Sequence, residues 1–117
     1  MITGIQHMSF TVSNLDDTIH FFSDILGLEV SSIREAKGER VEKILQIDGA
    51  SLQICNVITP DNGNIEFIEY LAPKGQKLDL RTCNTGVAHL GFEVDDVQKM
   101  YDDLINKGVK FNHPPVW

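Results

Sequence analysis

Two histidines at matched positions and one glutamate carry the chemistry this sequence offers. His7 lies in Ile5-Gln6-His7-Met8-Ser9-Phe10-Thr11-Val12, and His89 in Val87-Ala88-His89-Leu90-Gly91-Phe92-Glu93-Val94. Laid over one another at an offset of 82, the two stretches match His7 to His89, Phe10 to Phe92 and Val12 to Val94. Alternate residues of a strand face opposite ways, so Met8, Phe10 and Val12 form an apolar face, as do Leu90, Phe92 and Val94. The histidines take the other face. Glu66 alternates with Ile65 and Phe67 in a third stretch and shares its face with Ile68 and Tyr70, while Glu69 falls on the opposite one. Two imidazoles and a carboxylate make a mixed nitrogen and oxygen set suited to divalent Ni, Co, Zn, Fe or Mn. Ser9, Thr11 and Tyr70, on the same faces as these groups, are the candidate substrate contacts.

The elements that must position them repeat as well. After the first strand, Ser13-Asn14-Leu15-Asp16-Asp17 supplies capping side chains and acids for a first helical turn. Leu15, Ile19, Phe22 and Leu26 then recur at helical spacing up to Gly27, which predicts a helix from Leu15 to Leu26. In the second copy, Asp95-Asp96 opens a stripe of Val97, Met100, Tyr101 and Leu104 that stops at Lys107-Gly108. Val109-Lys110-Phe111 copies Leu28-Glu29-Val30 with one residue deleted. Such repetition is weighed before any single motif. Between the copies, strands are predicted over Leu28–Ile33, Val41–Asp48, Ser51–Val57 and Ile65–Leu71, with a turn over Arg34–Arg40 and loops at Asp48-Gly49 and Pro60–Asn64. The boundaries are a first module over 1–72, a connector over 73–86 and a partial second module over 87–117. A full second copy would reach about residue 153. The sequence therefore reads as a piece of a longer protein or as a chain that completes its sheet by exchange with a second copy.

Composition narrows the function classes. Lys and Arg number 10 against 17 Asp and Glu, a net charge of −7 that disfavours nucleic acid and anionic membrane as partners. An apolar share of 42% is enough to build a core, which argues against intrinsic disorder. Neither a membrane-length apolar run nor a secretory leader is read, so the expected location is the cytoplasm. Cys55 and Cys83 are too few and too far apart for a metal-binding pair or a disulfide framework, and read as plain thiols. His20 reads as a surface helix residue and His113 as a loop residue, Phe21-Phe22 as core, and Arg34, Arg40 and Lys43 as solvated charges near a turn, with contact to an anionic substrate as the lesser reading.

With these residues in view, the chain resembles the vicinal oxygen chelate superfamily, which includes glyoxalase I, methylmalonyl-CoA epimerase, extradiol dioxygenases, fosfomycin resistance enzymes and bleomycin resistance proteins. Ile5–Val12, Phe21-Phe22-Ser23-Asp24-Ile25-Leu26-Gly27-Leu28, Ile65-Glu66-Phe67-Ile68-Glu69 and Ala88–Val94 carry the likeness. It implies an α+β fold of paired βαβββ modules forming a cupped mixed sheet, the second module incomplete here. It also implies one divalent transition metal, with His7, Glu66 and His89 at ligand positions and a fourth ligand, a glutamate, beyond Trp117. The implied activity is glyoxalase-like isomerisation or epimerisation of a small carbonyl or thioester substrate through a metal-stabilised enediolate, with Glu66 as ligand and candidate base and the glutamate beyond Trp117 as an equal candidate for the base. Two rivals belong to the same fold: a metal-free small-molecule binding or antibiotic-resistance protein, and a ring-cleaving dioxygenase using ferrous iron. An unfinished sheet with open edges further predicts a homodimer.

Overall fold

The computed structural model describes residues 1–117 and resolves into two compact units, Met1–Gln76 and Lys77–Trp117. The first unit is a mixed five-stranded open sheet with two helices. Its strands are β1 (Met8–Thr11), β2 (Glu29–Val30), β3 (Arg34–Lys37), β4 (Ser51–Ile58) and β5 (Asn64–Ala72). They run in the order β1-β5-β4-β2, with β3 also paired to β4. The β1–β5 pair is parallel and the others antiparallel. The α+β class and the mixed sheet expected from the sequence are what the chain forms.

Helix α1 (Leu15–Ile19) begins where predicted, because the Asn14 side chain accepts from the Asp17 amide at 3.0 Å and Asp16 and Asp17 occupy its first turn. It continues as a wider π-helical segment, His20–Ile25, instead of holding α geometry to Leu26. The Leu26 amide reaches the Phe21 carbonyl five residues back, as a π turn requires. Gly27, at φ +73°, closes the helix in a left-handed conformation that glycine adopts without strain. Phe22 thereby lies 4.7 Å from Phe67 between ring centroids, and Phe10 stacks on Phe67 at 6.0 Å. Leu15, Leu52, Cys55, Val57, Ile65 and Phe67 complete a core in which each is less than a tenth exposed. Met8 shares the apolar parity of Phe10 but remains exposed.

The stretch between Leu28 and Asp48 departs from expectation. The strand predicted over Leu28–Ile33 is confined to Glu29–Val30, and the predicted turn over Arg34–Arg40 holds β3 instead, paired residue for residue with Ser51–Ile54. The strand predicted over Val41–Asp48 is helix α2 (Glu39–Leu45). Its residues are mostly good helix formers, Glu39 and Glu42 lie in its first turn and Lys43 in its last, and Gln46 ends it at φ +57°. These local preferences outweigh the short apolar run Ile44–Ile47.

The second unit contains α3 (Val97–Asn106), capped by the Asp96 side chain on the Lys99 amide at 2.9 Å. Asn14 and Asp96 are therefore equivalent caps at the repeat offset, and Gly108, at φ +86°, is the counterpart of Gly27. The strands predicted over Val87–Val94 and Val109–Phe111 do not form. A strand exists only through a hydrogen-bonded partner, and neither segment enters a ladder. Phe111 packs instead against Tyr101, at 4.8 Å between centroids, beside an apolar groove along α3.

Candidate functional site

The parallel register of β1 and β5 decides which side chains meet. Ser9 pairs with Glu66 and Thr11 with Ile68, so Ser9, Thr11, Glu66 and Ile68 share one face. Across β5, Glu66 pairs with Asn56 of β4 and Ile68 with Ile54. Arg34 of β3 is in turn paired with Ile54. Four strands thus deliver a carboxylate, a hydroxyl, an amide and a guanidinium to one patch, flanked by Ile54 and Ile68.

Glu66 is its centre, with a side chain only 18% exposed. The Ser9 hydroxyl donates to Glu66 Oε1 at 3.0 Å, and Arg34 Nη2 donates to Oε2 at 3.5 Å. Arg34 Nη1 donates to Asn56 Oδ1 at 2.6 Å, and Asn56 Nδ2 donates to Asn64 Oδ1 at 2.7 Å. Below the patch, burial pushes the Cys55 thiol pKa up, opposed by the nearby Arg34 charge.

His7, just before β1, places Nε2 3.9 Å from Glu66 Oε1. Its Nδ1 is hydrogen-bonded to Gln6 Oε1. The ring is thus held through Nδ1 while Nε2 faces Glu66. A metal-binding histidine is usually oriented in this way through its other nitrogen. Metal–donor distances of about 2.0–2.2 Å allow two donors of one ion to lie up to about 4 Å apart. By chemistry and spacing, the His7–Glu66 pair fits a shared divalent cation.

The other sequence-derived candidates are placed differently. Ser9 is committed to Glu66. Thr11 is exposed at the end of β1, and Tyr70 is half-buried on β5, paired with Leu52. His89 is exposed in the second unit, outside any strand. No group of three or more His, Cys, Asp or Glu residues is gathered as a metal cluster. Glu69 faces away and accepts from the Leu15 amide at 2.7 Å, holding the start of α1. Asn56 and Asn64 were not among the sequence-derived candidates, and Arg34 was read as a solvated charge near a turn. Asn56 was legible as a polar residue sharing the Ile54 face, whereas Arg34 joins it only once β3 is known.

The family model described as Glyoxalase/Bleomycin resistance protein/Dioxygenase superfamily matches residues 4–116. The chain belongs to that superfamily. A curated relative, the 2-epi-5-epi-valiolone epimerase of Actinomyces sp, is 29% identical over 97 residues, which are 80% of this chain and 53% of the relative. The chain thus spans about half the length of the curated relative it matches. Among solved structures, a glyoxalase family protein from Bacillus cereus is 25% identical with a TM-score of 0.73, the match covering 92% of this chain and 74% of that one. The fosfomycin resistance protein FosX from Listeria monocytogenes, solved with Mn(II) and sulfate, shares the fold at 20% identity and a TM-score of 0.58, covering 94% and 75% respectively. No helix of this superfamily member is long and apolar enough to cross a membrane.

Proposed function

We propose that this superfamily member is a metal-dependent epimerase or isomerase acting at a carbon next to a carbonyl. In this reading His7, Glu66 and His89 hold one divalent cation, and Glu66 also accepts the substrate proton. The observation that carries it is His7 Nε2 standing 3.9 Å from an oxygen of a mostly buried carboxylate. When bound, a divalent ion supplies Lewis-acid polarisation of a substrate carbonyl oxygen. The rest is done by the chain. Ser9 donates to Glu66 Oε1 and Arg34 stands at Oε2, so the carboxylate is oriented before an ion or substrate arrives. Ile54 and Ile68, paired beside it, give the patch an apolar border. Thr11 and Tyr70 stand on the same face as candidate substrate contacts. His89 enters as the repeat counterpart of His7.

The named activity of the Actinomyces relative supports epimerisation over the other chemistries, and its substrate, by name a ketone, sets the first compound to test. The working unit in this reading is a cytoplasmic homodimer of paired modules, for which the edge position of β1 is the support. In heavy water with Mn(II) and 2-epi-5-epi-valiolone, proton NMR should show deuterium entering next to the ketone, slowed at least ~100-fold in Glu66→Gln. No exchange with any of the candidate ions, or full-rate exchange in the variant, contradicts the proposal.

One observation favours a second reading, metal-free binding of a small molecule in the same place: the Glu66 carboxylate already has a guanidinium partner.

A further inference from the structure

We propose that Arg34 is a built-in restraint on the cation site, occupying Glu66 Oε2 until a divalent ion displaces it; this rests on the metal-dependent reading above. The geometry separates what aims Arg34 from what it restrains. Asn56 is fixed on three sides: its amide donates to Ser31 Oγ at 2.9 Å, its carbonyl accepts from the Ser31 amide at 2.8 Å, and its Nδ2 donates to Asn64. With Nδ2 so used, Oδ1 can only face the guanidinium, which it holds at 2.6 Å. A neutral relay, Asn64 to Asn56, therefore holds Arg34 beside Glu66 independently of the carboxylate.

The contact to Glu66 is longer, at 3.5 Å, and the Arg34 side chain is 50% exposed. It therefore has solvent into which to withdraw while keeping Asn56. A guanidinium this close opposes an incoming cation twice, by like charge and by keeping Oε2 from turning toward an ion held between His7 Nε2 and Oε1. It also spares the mostly buried carboxylate from standing without a counter-charge before an ion arrives. Arg34 is thus a positioning residue whose removal raises cation affinity, the reverse of what a ligand or an anion-binding contact would do.

The test is calorimetric titration of Mn(II) into wild-type protein, Arg34→Met and Arg34→Lys, with circular dichroism confirming the fold and Arg34→Gln taking the place of Met should the latter not fold. Arg34→Met should bind Mn(II) about tenfold tighter than wild type. Arg34→Lys, which keeps the charge but loses the fork, should lie between. Equal or weaker binding by the uncharged variant overturns the restraint while leaving the metal reading intact. Absence of Mn(II) binding by every protein overturns both.

Discussion

Glu66 and Glu69 leave the same strand on opposite sides, and each serves only its own side. Glu66 takes the Ser9 hydroxyl and faces Arg34, whereas Glu69 accepts the Leu15 amide at the start of α1. A two-residue period forces this division for carboxylates three positions apart. Sequence parity alone was enough to set Glu69 aside as a ligand.

The two glutamates should therefore fail differently. Glu69→Ala removes a charged acceptor from a helix N-terminus and should cost about 1–2 kcal/mol in urea unfolding, with Mn(II) affinity unchanged. Glu66→Gln should abolish Mn(II) binding and shift the unfolding midpoint little. Both proteins losing stability alike, with the same affinity, would contradict the division.

The cysteines give an independent check on the core. Cys55 is fully buried under the patch with its pKa raised, while Cys83 is exposed. A raised pKa leaves less thiolate at any pH below it, and burial blocks reagent access. A chromogenic disulfide reagent at pH 8 should titrate one thiol in the native protein and two in denaturant. Two fast native thiols would mean that the β4–β5 core is not packed as described.

Much of the architecture was legible because periodic segments came with their own punctuation. Asn14 and Asp96 cap their helices as read, Gly27 and Gly108 close them, and β4 and β5 run within a residue or so of the predicted spans. Ile44–Ile47 was misleading because a short apolar run suits a strand or a helix equally well, and only the flanking Gly38, Glu39 and Lys43 distinguish them. Placing Arg34 in a turn hid its role: a turn residue has no fixed face, whereas a β3 residue paired with Ile54 must share the Asn56 side. Strand patterning in Val87–Val94 reported a propensity to pair, which becomes a strand only where a ladder partner is present. The metal proposal itself came from residue type and repeat position. The His7–Glu66 approach supports two of its three ligands, and His89 rests on the repeat.

Metal content decides the central claim most directly. Purified protein should bind one divalent ion per chain by elemental analysis and calorimetric titration, and His7→Ala and His89→Ala should each lose it while keeping the native circular dichroism spectrum. A wild-type chain with no stoichiometric ion, or a His89→Ala protein that binds as well as wild type, would contradict it.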